Sequence, residues 1–139
     1  MHRKFDNITD GIVYGGAIGL GFGMTENFIY FTYYAETTTH WIYLVIVRTL
    51  FTAVMHCVST ATIGAFFGLA KFKKKPFTTL LPFFGYLFAV AIHSGWNISV
   101  SFESTYFFGI AGMFVLIIIF ITLFTISVKN EKKMLFEEL

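Results

Sequence analysis

The chain has 139 residues and a formal net charge of +2; only 13% of its residues are charged, against 56% hydrophobic, with nineteen Phe and seven Tyr. That charged share is about half that of a soluble domain. It excludes a soluble globular fold and indicates an all-α, multispan integral membrane helical bundle, one membrane domain over residues 1–139. A lone cysteine, Cys57, excludes an intrachain disulfide.

Residues 1–10 are polar, carry Arg3 and Lys4, and run into an apolar stretch without a cleavable signal pattern. The first span is expected over 11–34, GIVYGGAIGLGFGMTENFIYFTYY. Gly11, Gly15, Gly19 and Gly23 recur every four residues and share one helical face, where small residues let backbones approach. Asn27 continues that stripe and Glu26 sits beside it, so the carboxylate is expected to face neighbouring helices. A charge at such depth costs about 3 kcal/mol on insertion scales and reads as functional by default.

The polar turn AETTTH leads into a second span over 41–70, interrupted by Arg48 and His56. KFKKK and Pro76 follow, the proline suiting a helix start. A third span, 77–100, lacks Asp, Glu, Lys and Arg but holds His93 and Asn97. SFEST separates it from a fourth span, 106–128, and a charged tail, 129–139, closes the chain. Nine of the ten basic residues (Arg3, Lys4, Lys71, Lys73, Lys74, Lys75, Lys129, Lys132, Lys133) then fall on one side, and the two opposite loops have none. The positive-inside rule places both termini and the lysine loop in the cytoplasm of a multi-pass cell-membrane protein. The lysines serve as a topology signal, and no nucleic-acid surface is expected.

Arg48, Thr52, His56 and Thr60 form a four-residue stripe in the second span; Gly85, Ala89, His93 and Asn97 form another in the third. From the helical rise, Glu26, Arg48 and His93 lie roughly 10–12 Å below the external ends of their spans and His56 roughly 22 Å. Outward protrusion of the long second span would raise His56 toward the others. Three helices thus present a carboxylate, two imidazoles and an amide to one pocket. Such a set suits a divalent metal, zinc being the expected ion, held by Glu26, His56 and His93. Alternatively Glu26 activates water directly while His93 and Asn97 stabilise an oxyanion. Arg48 can also be read as a plain counter-ion for Glu26, and the glycine stripe as packing alone.

DGIVYGGAIGLGFGMTEN at 10–27, the run Arg48…His56…Thr60…Gly64 and HSGWN at 93–97 together resemble the PrsW family of intramembrane proteases. That family is related to the CAAX-processing and bacteriocin-processing membrane proteases. The resemblance implies that Glu26, His56, His93 and Asn97 occupy catalytic or metal-site positions, supported by Asn27 and Arg48. It also implies a membrane-embedded protein substrate in the bilayer, such as a single-span anti-sigma-factor-like protein. The family pattern usually includes an earlier helix with a Glu-Glu-x-x-Lys motif; the chain begins after that point, and Glu137–Glu138 does not replace it. Two further readings stand beside it: a non-catalytic relative with a binding or regulatory role, and a haem b protein ligated by His56 and His93.

Overall fold

A computed structural model describes residue 5 and residues 7–137, with side chains to residue 131. Arg3, Lys4 and Glu138 lie outside the described residues, as do the side chains of Lys132, Lys133 and Glu137.

The described residues are helical apart from short connections. Helix α1, Ile8–Tyr33, begins at Asn7, whose side chain accepts the Asp10 N–H at 2.7 Å and caps the first turn. After a short turn, Thr37 caps α2, Thr38–Val47, by accepting the His40 N–H at 3.1 Å. A π-helical turn, Arg48–Thr52, joins α2 to α3, Ala53–Lys71, without a break in the helix. Pro76 stands immediately before α4, Phe77–Ser101, as its fixed φ favours. Only Phe102 separates α4 from α5, Glu103–Glu137, so the charged tail expected at 129–139 continues the last helix through Glu137.

Among the described residues, three helices are long and apolar enough to cross a membrane: Thr38–Lys71, Phe77–Ser101 and Glu103–Glu131. At 34 residues the first is about 51 Å long, well beyond a hydrocarbon core of ~30 Å. The 26-residue α1 has the length but not the apolarity, because six glycines and the pair Glu26–Asn27 replace larger apolar side chains. Its position rests on packing instead.

That packing follows the glycine spacing. Gly11, Gly15, Gly19, Gly23 and Asn27 are all buried. A Cβ added at Gly11, Gly15 or Gly19 would collide with the Gly64, Thr60 or His56 carbonyl oxygen on α3. The two backbones are in direct contact there, as small interfacial residues allow. The stripe faces α3, while α4 packs on another side of α3 and makes at most slight contact with α1. Met55, Trp96 and Met113 form a small buried core joining α3, α4 and α5, with Phe51, Val54, Ile92, Val100 and Ile117 around it.

At one end of the bundle α1 is tied to α5: Asn7 Nδ2 donates to Glu131 Oε1 at 2.8 Å, and the Thr9 and Ser127 hydroxyls are 2.9 Å apart. Gly68 packs on Ile8 at the same end, one turn before Lys71 and the lysine loop. At the opposite end the Tyr43 and Tyr106 hydroxyls, 3.2 Å apart, link α2 to α5.

Candidate active site

Glu26 is the only carboxylate in the middle of α1, and two neighbours reach it. Arg48 Nη2 donates to Glu26 Oε2 at 2.6 Å, and His56 Nε2 lies 3.0 Å from the same oxygen. No hydrogen bond among the described residues reaches Oε1. Arg48 also donates through Nε to Asn27 Oδ1 at 3.0 Å, and its guanidinium carbon lies 3.5 Å from the centre of the Tyr30 ring. One planar fork therefore holds two adjacent α1 side chains while stacking on a third, which a lysine cannot do.

The π turn lies where α2 gives way to α3. The Ala53 N–H bonds to the Arg48 carbonyl, five residues back, so this turn is one residue wider than an α turn. Arg48, at its first residue, and His56, one turn beyond its end, both face Glu26. The sequence-predicted stripe is completed by buried Thr52 and by Thr60, whose hydroxyl lies against Gly19. His56, expected deeper than the other groups, meets Glu26 directly.

His56 is 2% exposed, and its ring is held between two others. Phe22 on α1 presents an edge at 5.0 Å between ring centres, and His93 on α4 does so at 4.9 Å. The two imidazoles touch, leaving no gap for a macrocycle, so the paired-histidine haem reading does not fit this geometry. Beside them a cleft of about 500 Å³ runs over α3 between α1 and α4. Its floor is His56, Ser59, Thr60 and Ile63; Phe22 forms one wall, and Tyr86, Ala89, Val90, His93 and Ser94 the other.

The structure thus brings Glu26, Asn27, Arg48, His56 and His93 together. Asn97 stands apart: it lies one turn beyond His93 on α4, it is exposed, and it does not line the cleft. Tyr30 was missed in the sequence, and Phe22 entered there only as part of the motif leading to Glu26–Asn27. Phe22, Glu26 and Tyr30 lie at four-residue intervals, a stripe beside the glycine face that could have disclosed them.

Two imidazoles and a carboxylate are the right donors for zinc. Among the described residues, however, no three His, Cys, Asp or Glu side chains are grouped to hold a metal ion. The reason is local: Glu26 Oε2 is taken up by Arg48 and by His56 itself, so a liganding nitrogen and oxygen bond each other. The arrangement as it stands does not fit a metal.

A helical bundle carrying a carboxylate, a guanidinium and two imidazoles beside a cleft defines a membrane protein with a candidate hydrolytic site. The family model described as PrsW family intramembrane metalloprotease matches residues 1–125, and the chain belongs to that family. Two relatives named Protease PrsW, from Geobacillus kaustophilus and Oceanobacillus iheyensis, are each 36% identical to it over 89 residues, 60% of the chain. The matched region spans 37% and 39% of those proteins, respectively. No solved structure matches.

Proposed function

We propose that this chain carries the active site of an intramembrane peptidase that cuts transmembrane or membrane-proximal segments of other proteins. The observation that carries the reading is the contact of Glu26, Arg48 and His56 on two packed helices, with His93 delivered from a third at the edge of an open cleft. We read α1 as a fourth span of a single membrane domain, with both termini and the lysine loop cytoplasmic. Family membership supports a membrane-embedded substrate; a single-span anti-sigma-factor-like protein is our candidate.

In this scheme Glu26 accepts a proton from a water molecule through its unengaged Oε1. His56 and Arg48, from one continuous helix, fix the carboxylate through Oε2. The resulting hydroxide attacks a peptide carbonyl lying along the cleft. His93 donates a hydrogen bond to the developing oxyanion, and the proton passes to the leaving nitrogen. The family's description implies a divalent ion, which when bound would polarise the carbonyl and acidify water. Zinc on Glu26, His56 and His93 would require the His56–Glu26 hydrogen bond to open, so no step here depends on it.

The second reading, a non-catalytic relative that keeps the pocket for binding or regulation, draws on the 2.6 Å contact: Glu26 would then serve as a counter-ion for Arg48. A double-mutant comparison separates the two. Under the peptidase reading, Glu26→Gln and His93→Ala each abolish cleavage of a co-expressed single-span substrate, and the double variant is scarcely worse, because residues acting as one unit are non-additive. Under the counter-ion reading, Glu26→Gln lowers the amount of folded protein, since Arg48 loses its partner, while His93→Ala changes little. Undiminished cleavage by a well-folded double variant would end the peptidase reading of this pocket.

A further inference from the structure

At the lysine-bearing end of the bundle the described polar groups are of two kinds, engaged and free. Lys71 donates to the Phe5 carbonyl, and its ammonium lies 5.8 Å from the centre of the Phe5 ring. Glu131 accepts from Asn7, and the Thr9 and Ser127 hydroxyls bond each other. The side chains of Lys73, Lys74, Lys75, Lys129 and Asn130 have no partner among the described residues. The positive-inside rule accounts for the sign of these lysines, not for their place in the fold.

That place is beside a groove of about 280 Å³ between α1, α3 and α5. Its walls are apolar, built from Ile8, Ile12, Leu69, Phe72, Leu123 and Ile126, while Asn7, Ser127, Asn130 and Glu131 give it one polar end. Along α5 it extends from Leu123 to Glu131, about 12 Å of helix. One leaflet's share of the hydrocarbon core is about 15 Å. Lys71 and Lys73 flank Phe72, and Lys129 precedes Asn130, so the cations stand next to lining residues. Together with Lys74 and Lys75 they outnumber the described carboxylates of this end, Asp10 and Glu131.

We infer that this groove binds an anionic glycerophospholipid, with one acyl chain between α1, α3 and α5 and the phosphate held by the Lys73–Lys75 loop and Asn130. Water cannot satisfy its hydrogen bonds against such walls. A protein helix about 10 Å across would occupy roughly 900 Å³ over the same length, far more than the groove offers. An acyl chain has the matching profile: slender, apolar over about one leaflet, and joined at one end to a charged group. Unpartnered lysines at that end favour an anionic headgroup over a zwitterionic one. The bound chain would bridge α1, whose own apolarity is weak, to the two helices that hold it. Anionic lipid thereby sets how firmly the helix carrying Glu26 is docked. The site does not depend on what the cleft does.

The test uses the full chain with p-benzoylphenylalanine replacing either Phe72, in the groove, or Phe107, exposed at the opposite end. Each variant is reconstituted into nanodiscs of equimolar phosphatidylcholine and phosphatidylglycerol with matched acyl chains, and the crosslinked lipid is identified by its mass. Position 72 is expected to capture phosphatidylglycerol about fivefold over phosphatidylcholine, the preference that about one lysine–phosphate contact supplies. Position 107 should capture both equally. Salt at about 1 M, and separately the triple change Lys73→Gln, Lys74→Gln and Lys75→Gln, should each bring position 72 to parity. Ile126→Trp, which fills the groove from a position already 49% exposed, should lower phosphatidylglycerol capture there severalfold. Soluble glycerol phosphate should not compete, because it lacks the acyl chain. Parity at position 72, the same preference at both positions, or capture that Ile126→Trp leaves unchanged overturns the site. Competition by glycerol phosphate, or crosslinking to a second copy of the chain in place of lipid, overturns it as well.

Discussion

Arg48 makes three different contacts with one flat group: a carboxylate at 2.6 Å, an amide at 3.0 Å and an aromatic face at 3.5 Å. Lysine could keep the charge but not the fork or the stacking surface. Arg48→Lys should therefore cost about 1–2 kcal/mol, the sum of one hydrogen bond and a partly exposed cation–π contact. Denaturation in detergent would measure this, and an unchanged midpoint would show that the clamp contributes nothing. Glu26, Arg48 and His56 were legible in the sequence because polar groups are rare and expensive in apolar runs. Tyr30 was not, since only its four-residue spacing from Phe22 and Glu26 marks it among nineteen Phe and seven Tyr. Asn97 shows the limit of face arguments. It shares His93's face, but the helix carries it beyond the cleft.

For the elements, the glycines divide by what lies beside them. Gly19 meets the His56 carbonyl, whereas Gly21, two residues on, has nothing within 4 Å of its would-be Cβ. Gly19→Leu should force α1 off α3 at a cost of about 3 kcal/mol or more, with lost assembly in detergent. Gly21→Leu should stay within about 0.5 kcal/mol. Equal tolerance at both positions would mean that the α1–α3 contact does not hold the fold. The periodicity of four disclosed this face before any coordinates. The π turn had no such signal. A wide turn inside a continuous apolar run leaves only excess length, and 41–70 was indeed longer than a membrane requires.

On the scale of the whole molecule, the described ends sort as the charges suggest. The start of α1, the end of α3, the lysine loop and the Ser127–Glu131 stretch of α5 belong to one end, and the Tyr43–Tyr106 link to the other. Replacing Thr38 or Ser104 by cysteine in a Cys57→Ala background should give labelling by an impermeant reagent added outside intact cells. Labelling only from the cytoplasmic face would reverse the proposed orientation. The lysine distribution made this arrangement legible. Hydropathy is a weaker guide to α1, because glycine adds little to it and Glu26 and Asn27 subtract. That weakness bears on biogenesis. During synthesis α1 leaves the ribosome before Arg48, His56 and the carbonyls of α3 that its glycines require. Until they arrive it has a naked carboxylate and a groove where a partner should be, so lipid alone retains it poorly. On the proposed reading of α1 as a fourth span, its place in the bilayer is secured retroactively, when α3 docks against it.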